Sequence, residues 1–130
     1  MENELKTNIN DQEKDLLLKD LCARLPYGVK VKIGNNSYTV KGVDKKVNGE
    51  GDWVHCVCSY GISPVEIDFC KPYLFPISSM TEEQKKDMIM SSVGIGSDKN
   101  VFDWYNKNHI DYRGLIPMGL ANDATGLNIY

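Results

Sequence analysis

The sequence predicts an α+β fold: an N-terminal helix, a small curled sheet of four antiparallel strands forming a half-barrel, then two or three C-terminal helices. Three observations carry this. A leucine stripe at helical spacing lies near the start, apolar and polar residues alternate through the middle, and a capping box after residue 80 opens a helical block. Strands in one block and helices in another are the signature of α+β rather than α/β chains.

The first helix starts at Asn10, whose side chain suits an N-cap, with Glu13 three residues on to complete a capping box. Leu17, Leu18, Leu21, Cys22 and Leu25 form its apolar stripe, and Lys14, Asp15, Lys19 and Asp20 fall on the other side. Pro26 and Gly28 stop it. Residues 1–10 read as a flexible tail and 11–130 as one domain.

Val29, Val31 and Ile33 then alternate with Lys30 and Lys32, as in a half-buried strand. Gly34-Asn35-Asn36-Ser37 turns the chain into a second strand from Tyr38 to Val43. After a polar loop from Asp44 to Asp52, Trp53 to Tyr60 is rich in β-formers and makes the third strand. Gly61 to Pro64 reads as a turn, with Val65, Ile67 and Phe69 alternating along a fourth strand. Pro72 and Pro76 make Lys71 to Ser79 extended yet unfit for a central strand.

Thr81-Glu82-Glu83-Gln84 is a capping box for a helix to about Ser92, before the break at Gly94-Ile95-Gly96-Ser97. A third helix covers Val101 to Asn108 and buries either Phe102 with Tyr105 or Val101 with Trp104. Asp111 caps a short, irregular fourth helix interrupted by Pro117 and Gly119. Asn122 to Gly126 is a turn, and Leu127 to Tyr130 a last extended segment.

Composition narrows the class. The chain has 130 residues, 42% of them hydrophobic, enough for one self-supporting core. No apolar run approaches a membrane span, and Met1 to Asn10 lacks the pattern of a secretion signal, so the expected location is the cytoplasm. Cys22, Cys56, Cys58 and Cys70 are then expected as reduced thiols.

Three segments carry a resemblance: Leu21-Cys22-Ala23-Arg24-Leu25-Pro26-Tyr27-Gly28-Val29, the run from Lys71 to Glu83, and Asp111-Tyr112-Arg113-Gly114-Leu115-Ile116. In this order they resemble an uncharacterised family of small proteins from gut anaerobic bacteria, their prophages and phages. The resemblance spans most of the chain from the first helix onward. It implies a phage or mobile-element setting and no activity. Phe75 stands where that family usually has an arginine, and Pro117-Met118 replaces a more helix-friendly pair.

Several groups invite a chemical reading. His55-Cys56-Val57-Cys58 offers thiolates and an imidazole, but alternation sends His55 to the face opposite the cysteines, and no second ligand pair stands near. No metal or cofactor is expected. His55 and His109 lie far apart and neither has a nucleophile motif, so no catalytic residue is assigned, no enzyme is expected, and a small cysteine/histidine enzyme stands only as the last alternative. Gly94-Ile95-Gly96-Ser97-Asp98-Lys99 lacks the spacing of a phosphate loop and follows a helix.

Two binding readings remain. The net charge is −3, yet from Val29 to Val47 there are five lysines against one acid. Lys30, Lys32, Lys41, Lys45 and Lys46 with Tyr38 are candidates for weak single-stranded nucleic-acid contact, though lysines on a sheet more often only solubilise it. Phe75, Trp104 and Arg113 are candidates for a protein partner, with Phe75 the expected exposed apolar residue. The favoured expectation is a non-enzymatic accessory protein that binds another protein.

Overall fold

A computed structural model of the chain describes residues 9–45, 52–58, 61–91, 93 and 97–130. Its first helix, α1 (Asp11–Arg24), begins with the expected capping box: the Asn10 side chain accepts from Glu13 N–H (2.8 Å), and Glu13 accepts from Asn10 N–H (3.1 Å). Of the expected tail, only Ile9 and Asn10 are described. Ile9 packs against the core.

The buried face of α1 differs from the leucine stripe. It consists of Leu17, Asp20, Leu21 and Arg24, while Cys22 is exposed. Asp20 belongs to the inward face because it is neutralised there: Arg24, one turn on, donates to its carboxylate through Nε (2.9 Å) and Nη2 (3.1 Å). A hydropathy stripe reads both residues as solvent-facing, because only tertiary partners make such burial tolerable.

Seven strands follow in a mixed, open sheet ordered β4-β3-β2-β1-β5-β6, with β7 also on β5. They are β1 (Lys30–Ile33), β2 (Asn36–Lys45), β3 (Asp52–Cys58), β4 (Gly61–Glu66), β5 (Lys71–Pro76), β6 (Ile110–Asp111) and β7 (Asn122–Asp123). β1 to β4 form the expected antiparallel run, and the β1–β2 hairpin turns at Gly34 with φ 64, a conformation glycine adopts without a Cβ clash.

The four-stranded half-barrel is therefore corrected at its far side. β5 is an interior strand despite its prolines: β1 pairs with residues 71–72, β7 with 73–74 and β6 with 75–76, the last two in parallel. Each ladder is two residues long, so a missing proline N–H removes little. The neighbouring groups do the bonding, Phe75 N–H donating to His109 C=O (2.8 Å) and Ala124 N–H to Leu74 C=O (2.8 Å). β6 and β7 are too short to show as periodicity in sequence.

β4 also departs from expectation. Pro64 lies within a strand, as an edge position permits, and Ile67–Phe69 is a 3-10 turn rather than strand. The core forms where α1 covers one sheet face: Leu17 and Leu21 meet Val31, Val40, Val54 and Cys56, with Leu74, Leu115 and Leu120. The Cys70 thiol donates to the Glu66 carbonyl (3.6 Å), and hydrogen bonding with Cys56 and burial both raise its pKa. Cys22, Cys56 and Cys70 are free thiols; the Cys58 side chain lies outside the described residues.

α2 (Glu82–Ser91) starts at the expected Thr81–Gln84 box, with both reciprocal bonds formed (2.8 and 3.1 Å). α3 (Ser97–Lys107) begins four residues earlier than expected and buries Trp104, leaving Phe102 exposed. Trp104 Nε1 donates to Asp87 (2.8 Å) and ties α3 to α2. Trp104, Met80 and Ile110 make a second small core with Phe75, Met88 and Tyr105.

The helix expected after Asp111 does not form; residues 112–121 run through turns and bends before β7. Asp111 nevertheless caps them as expected, its carboxylate accepting from Leu115 N–H (2.8 Å) and Ile116 N–H (2.9 Å). Both amides lose their acceptor in Asp111→Ala, which should destabilise the protein by about 2 kcal/mol. Urea unfolding checks this, and a midpoint equal to the unaltered protein's would show that the cap contributes nothing.

Candidate functional site

Strand alternation decides what faces out. On β3, Val54 and Cys56 are buried in the core, so Trp53, His55 and Val57 lie on the opposite face. The register places Glu66, Pro64 and Ile62 of β4 across from these three, and Asp44 and Gly42 of β2 across from Trp53 and His55. The result is an outer face on which Trp53, Pro64, Val57 and Ile62 stand together. Val57 and Ile62, a directly opposed pair, are 38% and 62% exposed.

Its polar centre is one pair. His55 Nε2 lies 2.7 Å from Asp44 Oδ2, beside a shallow groove of about 230 Å³ lined by Asp44, Trp53, His55 and Pro64. Gly42, opposite His55, adds no side chain to that floor. Asp44 is exposed and His55 only half-buried, so the pair contributes little to stability. It can orient a hydrogen-bonding ligand, but among the described residues no serine, threonine or cysteine lines the groove to act as a nucleophile. Among the described residues, no three His, Cys, Asp or Glu side chains gather as metal ligands would.

The candidate lysines do not assemble as a nucleic-acid groove among the described residues. Lys32 and Lys41 are exposed, but Lys41 is the extra residue of a bulge between Val40 and Gly42. Lys30 is half-buried and its Nζ donates to the Ile129 carbonyl (2.9 Å). Tyr38 pairs with Val31 and packs on the core, away from the face of Lys30 and Lys32. The Lys45 side chain and Lys46 lie outside the described residues.

The three candidate partner residues are used internally. Phe75 is half-buried with Met80, Trp104 and Tyr130 because β5 is interior; its ring lies 6.1 Å from Tyr130. Trp104 is buried. Arg113 forms a salt bridge with Asp20, donating through Nε (3.1 Å), and its guanidinium sits 4.8 Å from the half-buried Tyr112 ring.

Sequence reading thus missed Trp53, Val57, Ile62 and Pro64 as surface. The signal was present: Trp53 to Cys58 is apolar in both phases of its alternation, while only one phase meets the core. Comparison with known protein families, with curated proteins and with solved structures gives no match. No helix among the described residues is long and apolar enough to cross a membrane.

Proposed function

We propose that the chain is a non-enzymatic binding module whose outer face on β2, β3 and β4 docks a protein partner. The observation that carries this is the exposed Val57–Ile62 pair, in phase with Trp53 and Pro64 on an ordered sheet. Covering such a surface is favourable by about 25 cal/mol per Å² of apolar area. Asp44 and His55 add directional hydrogen bonding at the centre of the patch, the usual division of labour in an interface. The resemblance to proteins of gut anaerobes and their phages suits an accessory protein of a phage or mobile element.

The test uses the protein as bait in bacterial lysate, with and without nuclease, beside Ile62→Glu. Ile62 faces water, so its replacement should change stability by no more than about 0.5 kcal/mol. Proteins retained by the unaltered chain after nuclease treatment and lost with Ile62→Glu are the expected result. Retention that vanishes with nuclease would replace this reading with a nucleic-acid one. Retention indifferent to Ile62→Glu would remove the outer face from consideration.

A further inference from the structure

The β1–β5 ladder pairs Lys32 with Lys71 and Val31 with Pro72, so its next rung would join Lys30 to Tyr73. That rung is filled by a phenol instead. The Tyr130 hydroxyl accepts from Lys30 N–H (2.8 Å) and donates to the Tyr73 carbonyl (2.8 Å). A hydroxyl suits this gap because it donates and accepts at one atom. Tyr130 as a whole is 43% exposed, while desolvation of its hydroxyl end raises the pKa to about 12, so the group keeps the proton it donates.

The wall of the slot is His109. Its ring stacks on Tyr130 with centroids 3.7 Å apart and planes 10° from parallel. The residue is 6% exposed, its backbone is left-handed at φ 58, and its Nδ1 has no hydrogen-bond partner among the described residues. A strained backbone and an unpartnered buried nitrogen both cost stability, and such features collect at binding sites.

The occupant is lightly held. Residues 125–128 are exposed and Asn128 is also left-handed, at φ 53. Besides the hydroxyl and ring contacts of Tyr130 with His109 and Phe75, its hydrogen bonds among the described residues are Leu127 N–H to Ala124 C=O (3.1 Å) and Lys30 Nζ to Ile129 C=O (2.9 Å). The last contact reads the carbonyl just before the tyrosine, so the slot recognises a short peptide and not a ring alone.

We propose that this slot is a recognition site for a tyrosine carried on a short peptide of a partner, with residues 126–130 as its displaceable resident ligand. It does not rest on the outer-face reading. A phenylalanine would leave Lys30 N–H and the Tyr73 carbonyl unpaired, so the site selects tyrosine.

The test titrates an acetylated peptide of residues 126–130, and its Tyr-to-Phe counterpart, into Tyr130→Ala, following the His109 ring by NMR. The tyrosine peptide should bind and the phenylalanine peptide should bind at least about tenfold more weakly. No binding, or equal binding, overturns the proposal. Hydrogen exchange on the unaltered protein is the second arm and needs no variant. Lys30 N–H should exchange by local opening, faster than Val40 N–H, which is bonded to Val29 C=O (2.9 Å). Exchange of Lys30 no faster than Val40 would mean that the ring leaves only on global unfolding, and the slot would not be a site.

Discussion

Replacing Asp20 by alanine should lower the free energy of unfolding by about 4 kcal/mol. Asp20 and Arg24 are both fully buried. The carboxylate takes two hydrogen bonds from Arg24 and one from Arg113, and Arg24 Nη2 also donates to the Ile110 carbonyl (2.6 Å). The Tyr112 ring lies 5.4 Å from the Arg24 guanidinium, adding a weak cation–π contact. Removing Asp20 leaves Arg24 charged, dry and without its counter-ion, and arginine does not escape by losing its proton. Arg113 suffers less, because it reaches water. The paired change Asp20→Leu with Arg24→Met removes both charges and keeps apolar volume, so it should cost less than Asp20→Ala alone. Denaturant unfolding of the three proteins decides it. A loss under about 1 kcal/mol for Asp20→Ala would mean that the cluster contributes no more than a surface pair.

The second large effect is on acid stability. Burial, followed by the positive charges of Arg24 and Lys30, lowers the His109 pKa from 6.5 to about 4. The unfolded chain takes up a proton near pH 6.5 and the folded one only near pH 4, so between these values the unfolded state binds more protons. The contribution is fully present above pH 6.5 and is lost as pH falls toward 4, about 3 kcal/mol in all. His109→Asn isolates it: asparagine tolerates the left-handed backbone and does not titrate. The unaltered protein should lose about 3 kcal/mol more than His109→Asn between pH 7 and pH 4. Parallel stability profiles for the two proteins would show that His109 opens to water before it protonates.

How far the sequence reaches is clear from individual residues. Both capping boxes, Asn10 with Glu13 and Thr81 with Gln84, form as read, since each is a contact within four residues. Asp111 is a partial case. Its role as a cap was legible, but the helix it was to open is a run of turns, because Gly114 and Gly119 take left-handed φ of 75 and 77. The candidate site was less legible. Alternation showed that His55 opposes Cys56, yet which phase meets water depends on where α1 lies.

The sequence alone determined the α+β class, the two capped helices and the β1–β2 hairpin, because caps, turns and alternation are local and act through neighbouring residues. Only the tertiary structure decided that β5 is an interior strand, that Asp20 and Arg24 are core residues and that Tyr130 completes a ladder rung 100 residues from Lys30. Each depends on partners distant in sequence: proline tolerance on which N–H groups are needed, charge burial on Arg113 and the Ile110 carbonyl closing round the Asp20–Arg24 pair, and the tyrosine slot on a gap between two strands. Periodicity encodes how far a side chain's face is apolar, not which distant group will neutralise it.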